Sequence, residues 1–586
     1  LDYYQQALVI LQAIGDRNGE AVSLNNIGST YSSLGKYSEA LSYHQQALVI
    51  LRSIGDRPNE AVALHNIGDV LKSQNQSELA IVFYKQSVNV YESIRGDLSN
   101  LDTELQSSYT DFVADTYRNL ADLLLQENRI LEAQRVLDLL KVQELEDYLQ
   151  DVQRSAQTEA GVNFWQVETD SLALYQQVLD QATELDQLEA KAPANRTAAE
   201  QQRLDQLRAL RDEAEGWFYK FLDDPNVVAT VDQIRVSTEG RNLEPGSFAD
   251  LPNNLRQLPQ KTAALYPLIL EDRLELVLIM PDGPPLRYPV EVTSAELNQA
   301  IVDFGQALKS LSSDIKPLAQ ELYNWLIGPM AAQLEQAEIE SIVYAPDGAL
   351  RYIPLAALHD GEEYLAQRFS ISHITADSLS DINIEPQRQD RRILAAACAE
   401  CSFTIPVGNE EYSFADLPYT QTEVQTLAAQ VSGVDVLLNN AFNAEAMKEL
   451  PSYSIIHLAT HAAFVIGSPD DSFIVFGNGG HINLRNINRD WKLDNAELVV
   501  LSACETAVGS TELGSGVEIL GLGYQIERAG AQATLASLWQ VSDGGTQVLM
   551  NAFYGALQHG MTKTAALQAA QQALITGDFS AVGGDR

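Results

Sequence analysis

The chain predicts an α plus α/β protein: an N-terminal α-solenoid, then a helical hairpin, then an α/β domain with a mostly parallel sheet. Three observations carry this. A 40-residue unit recurs near the N-terminus, with more than half of positions 41–80 repeating 1–40. A Gln-, Glu- and Leu-rich stretch with two helical stripes follows. From residue 391, short apolar runs alternate with helical patterns, the signature of βαβ units.

The repeats come first, over 1–149. Gln5–Leu11 returns as Gln45–Leu51, Ile14–Arg17 as Ile54–Arg57, and Asn26–Gly28 as Asn66–Gly68. Within each unit apolar residues recur at i, i+3, i+4 and i+7, so each unit reads as helix, turn, helix. Units of this kind bury their faces only by stacking, which makes a solenoid. The stretch 150–254 reads as a helical or coiled-coil region. Leu172, Leu174, Val178, Leu179, Leu185 and Leu188 form one stripe. Ala192–Arg196 reads as a turn, and Leu204, Leu207 and Leu210 continue on a second helix. It packs on the solenoid or on the next domain, and it carries no nameable chemistry.

The α/β region divides at about 390. In 255–390, Leu265–Leu270 and Leu274–Met280 read as strands, 295–336 as helical, and Ser341–Ala345 as a further strand. In 391–586 the strand-like runs are Ile393–Ala397, Val434–Leu438, Ile455–Ala459, Leu498–Ser502 and Ala533–Trp539. Helical patterns lie at 420–431, 443–449 and 516–529. Phe473–Asn488 reads as a hairpin turning at Gly477–Gly480.

Bulk properties exclude several functions. The 586 residues suggest three or four domains. The net charge of −42, from 80 acidic and 38 basic residues, repels nucleic acid and anionic membranes, and no Lys/Arg run offsets it. No apolar stretch is long enough to span a bilayer. Three cysteines argue for a reducing, cytoplasmic compartment. The first residues do not look like a signal peptide. The chain opens within a repeat and without Met, so it reads as a piece of a longer protein.

His461 and Cys504 are the candidate chemistry. Each ends a run that reads as a buried strand, and ligand sites in open α/β sheets form outside the carboxyl ends of the strands. Adjacent strands lie about 5 Å apart, so the two side chains can meet. An imidazole beside a thiol stabilises the thiolate, which is the nucleophile. From spacing alone, Cys504 can equally be a small buried hydrophobe. His457 and His461 are too far apart on a strand to share a metal, and the glutamate of a zinc helix motif is missing, so His457 reads as a core residue and no metal site is expected. Cys398 and Cys401 read as two loop thiols, with a redox pair as the alternative. Gly544-Gly545 and the 514–523 glycines lack the Lys of a phosphate loop, and no cofactor is expected.

These motifs resemble known families. Gly35–Ala40 is similar to the inter-helix turn of tetratricopeptide repeats, here in a long variant, with a weaker match at Asn128–Ala133. His457–His461, Leu501–Thr506, Gly514–Gly516 leading into Leu520–Tyr524, Ala529–Ala531 leading into Ser537–Asp543, and Pro346–Pro354 together resemble the CHAT domain, a caspase- and separase-like cysteine peptidase family. The resemblance covers roughly 255–576. It implies a caspase-like fold, a front half (255–390) that is a degenerate copy supporting the active half (391–586), and a catalytic dyad of His461 and Cys504. It further implies an oxyanion hole from the backbone N–H groups of Ala462 and Cys504, and a substrate pocket walled by Ser537, Trp539 and Asp543. Asp543 serves there either to select a basic side chain or to cap the next helix. Two departures stand out. Relatives usually carry Gly where this chain has Ala462, and the family's final aromatic-rich strand is missing before Arg586. The expected function is a cytoplasmic cysteine endopeptidase acting on protein and regulated by a protein or peptide on the concave face of the repeats. The alternative is a catalytically inactive scaffold.

Overall fold

The computed structural model describes residues 1–98, 103–149, 161–213, 225, 227–229, 250–310, 314–374, 391–407, 410–465, 468–503, 514, 516–537 and 543–582. The chain forms two compact units. One combines Leu1–Leu140 with Arg154–Phe248, the other Lys141–Gln153 with Ala249–Arg586.

The first unit begins with helices α1 (Asp2–Ile14), α2 (Arg17–Ser33), α3 (Tyr37–Ile54), α4 (Arg57–Ser73), α5 (Ser77–Leu98), α6 (Thr103–Gln126) and α7 (Ile130–Leu149). The repeat is visible in its punctuation. Gly15 and Gly55 end α1 and α3 in the left-handed conformation, at φ 73° and 74°. Asp16 and Asp56 then cap α2 and α4 by accepting the N–H groups of Gly19 and Asn59. Gly28 and Gly68 admit close neighbours, because a Cβ there would lie 2.7 Å from His44 and 2.8 Å from Tyr84.

Burial around those glycines has a pH consequence. His44 is 1% exposed, and burial pushes its imidazole down to about 4 against an opposing pull from Asp69. The folded imidazole is therefore neutral, whereas the unfolded one takes a proton near pH 6.5. This contribution to stability is complete above pH 6.5 and is lost as pH falls towards 4. Urea unfolding at pH 7 and pH 5 is expected to show a smaller difference in His44→Gln than in the wild type.

The expected hairpin is present as α8 (Gln166–Ala190) and α9 (Ala198–Glu213), joined through a short turn at Pro193–Asn195. Leu185, Leu204 and Leu207 pack between the two helices, with Leu188 partly buried beside them. Leu210 has no described side chain. Of the two packing options, α8 takes the solenoid. Its Gln176 and Asp186 meet Arg52 and Ser53 of α3, and its Tyr175 ring lies edge-on to Phe83 of α5 at 4.8 Å. Its start is fixed by four buried charges. Lys85 Nζ lies 2.6 Å from Glu132 and 2.8 Å from Glu168, while Arg129 bridges the same two carboxylates at 2.6–2.7 Å and stacks on Trp165. Burial alone would raise the Glu168 carboxyl, but Lys85 and Arg129 outweigh it and hold the pKa below the ordinary range.

In the second unit the front half builds a five-stranded sheet in the order β3-β2-β1-β4-β5. The strands are β1 (Thr262–Ile269), β2 (Leu274–Ile279), β3 (Leu286–Val290), β4 (Ser341–Tyr344) and β5 (Ser370–His373). β1, β2 and β3 form an antiparallel meander, and β1, β4 and β5 run parallel. Helices α10 (Ser294–Leu308) and α11 (Lys316–Leu326) pack on this sheet through Phe304, Leu322 and Leu326.

The other half carries a five-stranded, wholly parallel sheet in the order β15-β14-β10-β6-β9. Its strands are β6 (Ile393–Ala397), β9 (Val434–Leu438), β10 (Ile455–Thr460), β14 (Leu498–Ala503) and β15 (Thr534–Ala536). Side chains alternate between two cores. Ile455, Ala459, Leu498 and Val500 face one, and Ile456, Leu458, Val499 and Leu501 face the other. A parallel sheet covered on both faces explains why its strands read as continuous apolar runs. Helices α12 (Pro418–Gln430), α13 (Val517–Arg528), α14 (Asp543–Gln558) and α15 (Lys563–Thr576) flank it. Two smaller sheets sit beside it: the hairpin β7 (Thr404–Val407) with β8 (Glu410–Ser413), and β11 (Ala462–Ala463) with β12 (Phe473–Val475) and β13 (His481–Asn483).

Candidate active site

β10 is the central strand of the parallel sheet, and its ladder with β14 ends on the pair Thr460 and Ala503. His461 and Cys504 are the next residues in sequence after Thr460 and Ala503. Cys504 lies outside the described residues.

Two contacts hold the His461 ring. The residue is 7% exposed, and its ring stacks on Phe414 with centroids 4.7 Å apart. Its Nε2 lies 2.7 Å from the carbonyl oxygen of Ala415. A carbonyl only accepts, so Nε2 carries the proton and the neutral ring keeps Nδ1 as its basic nitrogen. Burial lowers the imidazole pKa below its usual value, with the Ala415 bond and the charge of Asp416 opposing it. The ring is thus neutral near pH 7 and able to take a proton.

The segment 398–417 presents these partners. It leaves β6, turns through the β7–β8 hairpin and returns, closed by Phe414 N–H to Phe403 O, Ser402 N–H to Asp416 Oδ1, and Leu417 N–H to Ala399 O. Cys398 and Cys401 stand at its base. The sequence reads them as loop thiols; instead the structure joins them as a disulfide, buried and with Cα atoms 5.5 Å apart. A C-x-x-C turn that folds back on itself brings the Cα atoms within the range a disulfide spans.

Ala462 opens β11 and is fully buried. Val475 N–H donates to His461 O, which makes His461 and Val475 a hydrogen-bonded pair. The next pair, Ala462 and Ile474, is therefore of the non-hydrogen-bonded kind, and the Ala462 N–H points away from β12. β11 is the edge of its sheet, so that N–H faces its open side.

Ser537 follows β15 directly and is half-buried, at the same end of the sheet as His461. Trp539 lies outside the described residues. Asp543 is the first residue of α14, and its side chain is not described. Asp470 and Asp471, an acidic pair near the His461 loop, are engaged locally: Asp470 with Arg485 at 3.0 Å, Asp471 with the Ser468 hydroxyl at 2.6 Å. His457 is a core residue within β10. It is fully buried, with Nε2 2.9 Å from Glu423 and Nδ1 3.1 Å from the Tyr554 hydroxyl. Among the described residues no group of three or more His, Cys, Asp and Glu side chains is placed to hold a metal ion.

Sequence reasoning missed Phe414, Ala415 and Asp416. The contact runs through a main-chain carbonyl 46 residues from His461, and a carbonyl has no residue signature.

Residues 316–581 match the CHAT domain family, and residues 1–53 and 35–93 match the tetratricopeptide repeat. The chain is 23% identical over 304 residues to Tetratricopeptide repeat protein 28 of Homo sapiens, covering 44% of this chain and 12% of that protein. It is 22% identical over 303 residues to the Mus musculus protein of the same name, covering 43% of this chain and 12% of that protein. The chain thus spans about an eighth of the length of these curated relatives. A crystal structure of the Saccharomyces cerevisiae separase–securin complex aligns over 96% of this chain and 52% of that one, with 10% identity and a TM-score of 0.35, too low to support an argument. The chain accordingly carries tetratricopeptide repeats followed by a CHAT domain.

Proposed function

We propose that this protein is a cysteine endopeptidase with a dyad of His461 and Cys504, regulated by a protein or peptide bound to its repeats. The observation that carries the reading is the state of His461. Its Nε2 is committed to Ala415, its pKa is lowered by burial, and it stands one residue beyond the last ladder pair with the strand that leads to Cys504. In this reading Nδ1 takes the Cys504 proton. The thiolate attacks the peptide carbonyl carbon, and the imidazolium then protonates the departing amine. Water hydrolyses the acyl-enzyme. The backbone N–H groups of Ala462 and Cys504 receive the oxyanion, while Ser537, Trp539 and Asp543 line the substrate pocket.

The orientation of the Ala462 N–H supports its role, and a substitution tests it. Proline is tolerated at edge positions that donate no ladder bond. Ala462→Pro is therefore expected to keep the secondary structure and lower kcat by at least about 100- to 1,000-fold, the usual cost of one oxyanion donor, with the restraint that proline puts on His461 added to it. Circular dichroism with steady-state kinetics checks both halves of this expectation.

The repeats supply the binding side of the reading. Tetratricopeptide repeats mark a protein-interaction module. Because α8 covers the side of the array formed by α3 and α5, the partner surface falls to α2, α4 and α6. No helix among the described residues is long and apolar enough to cross a membrane, and the acidic net charge disfavours nucleic acid, which suits a protein partner. A second reading, a scaffold without catalysis, draws on one observation: the residue after His461 is Ala462, whose buried methyl takes space that glycine would leave open.

Alkylation distinguishes the two. With Cys398 and Cys401 joined, Cys504 is the remaining thiol of three. In the peptidase its iodoacetamide rate stays high well below pH 8.5, and His461→Ala removes that reactivity. An ordinary thiol profile, unaffected by His461→Ala, supports the scaffold.

A further inference from the structure

The C-terminal part of α7, from Lys141 to Leu149, belongs to the same compact unit as the candidate site. Leu145, Tyr148 and Leu149 lie in the core that also holds Ala462, Phe464, Val517 and Leu520. Gly521 of α13 accommodates the Tyr148 ring, since a Cβ there would lie 2.9 Å from it.

Among the polar contacts of this short stretch, one leads to the loop that follows His461 and another to the start of α13. The first starts at Tyr148, whose hydroxyl lies 3.3 Å from Ser472 Oγ. Ser472 donates its own proton to Ser468 O at 2.9 Å and accepts the Val465 N–H at 2.9 Å, so Tyr148 is the donor to Ser472. Ser472, the residue just before β12, thus ties Val465, four residues after His461, to the start of the strand paired with β11. The second starts at Glu144, which accepts a charge-assisted bond from Arg351 Nη2. Arg351 is 1% exposed and packs under Gly516, where a Cβ would lie 2.7 Å from the Arg351 Cβ and φ is +69°. Its neighbour Tyr352 donates its hydroxyl to Glu518. Gly516 and Glu518 begin α13, the helix that follows the Cys504 segment in sequence.

We propose that Tyr148 and Glu144 are positioning residues for the dyad, Tyr148 acting on His461 through Ser472 and Glu144 on the Cys504 side through Arg351. The end of α7, the last helix of the array, is then the input through which the reactivity of the site is set. This rests on the peptidase reading above. No bond is made or broken at these residues; they fix where the reacting groups stand.

The test uses the full chain and a peptidyl acyloxymethyl ketone, followed by intact mass. Tyr148→Phe, Ser472→Ala and Glu144→Gln are compared with the wild type for labelling rate, its pH profile and the thermal midpoint. Each substitution is expected to slow labelling about tenfold, the scale of one hydrogen bond. The acidic limb of the pH profile shifts; the thermal midpoint stays within a few degrees for Tyr148→Phe and Ser472→Ala and falls further for Glu144→Gln, because Arg351 is buried. Tyr148→Phe combined with Ser472→Ala slows no more than either alone, because both cut one path. A wild type that labels, with variants that match its rate or that lose rate with an unmoved pH profile, overturns the inference and leaves the peptidase intact. A wild type that does not label overturns both.

Discussion

Cys504→Ala is expected to abolish peptide hydrolysis, and His461→Ala to lower kcat by four to six orders of magnitude. Nucleophile and base act as one unit, so either loss costs on the order of the whole chemical contribution of the dyad. The structure makes the His461 prediction specific. The ring is stacked on Phe414 and its Nε2 bond to Ala415 fixes the tautomer, so the orientation is set before substrate arrives. His461→Gln keeps a hydrogen-bonding side chain without a titratable base and is expected to be nearly as inactive as Ala. Thermal midpoints should hold steady, because His461 lies beyond the end of β10 and leaves the parallel ladder untouched. Steady-state hydrolysis of a peptide library, alongside those midpoints, checks the pair.

The second large effect is on stability. Glu168→Ala is expected to destabilise the repeat unit by about 3–5 kcal/mol, the cost of breaking a buried ion pair from one side. Lys85 and Arg129 are each at most 1% exposed and share Glu132 and Glu168 as their carboxylates. Without Glu168 two buried cations face one anion, and the main-chain N–H of Trp165 loses its acceptor at 2.8 Å. Glu168→Gln keeps the shape and loses the charge, so it should fall between. The sign with pH follows from the depressed carboxyl. The stabilisation is present above the ordinary glutamate range and is lost as pH falls through it. Urea midpoints of the wild type and both variants at pH 7 and pH 4 provide the check, with the differences shrinking at the lower pH.

The parallel strands were legible because burial on both faces writes them as plain apolar runs. β6 and β9 fall on Ile393–Ala397 and Val434–Leu438, the residues expected for them, and the hairpin of β12 and β13 turns at its glycines. The helical pattern at 443–449 was misleading. The chain there forms a 3-10 stretch, Ala446–Ser452, because Pro451 blocks continuation and the Asn443 side chain caps the Glu445 and Ala446 N–H groups. The resemblance implies a front half that is a degenerate copy of the active half; its first three strands form an antiparallel meander, since short turns join them where a parallel return needs a long crossover. Lys85, Arg129 and Glu168 look like ordinary surface charges in sequence. Their burial follows from α8 laying its start against α5 and α7, a pairing of distant segments that no local pattern encodes. His461 stood out for its place at a strand end, but the groups that orient it, the Phe414 ring and the Ala415 carbonyl, come from just after a distant hairpin, where no local pattern marks them.

Covalent capture of Cys504 tests the central claim most directly. Wild-type protein treated with a panel of peptidyl acyloxymethyl ketones is expected to gain one label, mapped by peptide mass to Cys504, with labelling absent in Cys504→Ala and strongly slowed in His461→Ala. A wild-type protein that stays unlabelled by every probe, or that labels equally well without His461, contradicts the dyad and leaves a protein-binding scaffold in its place.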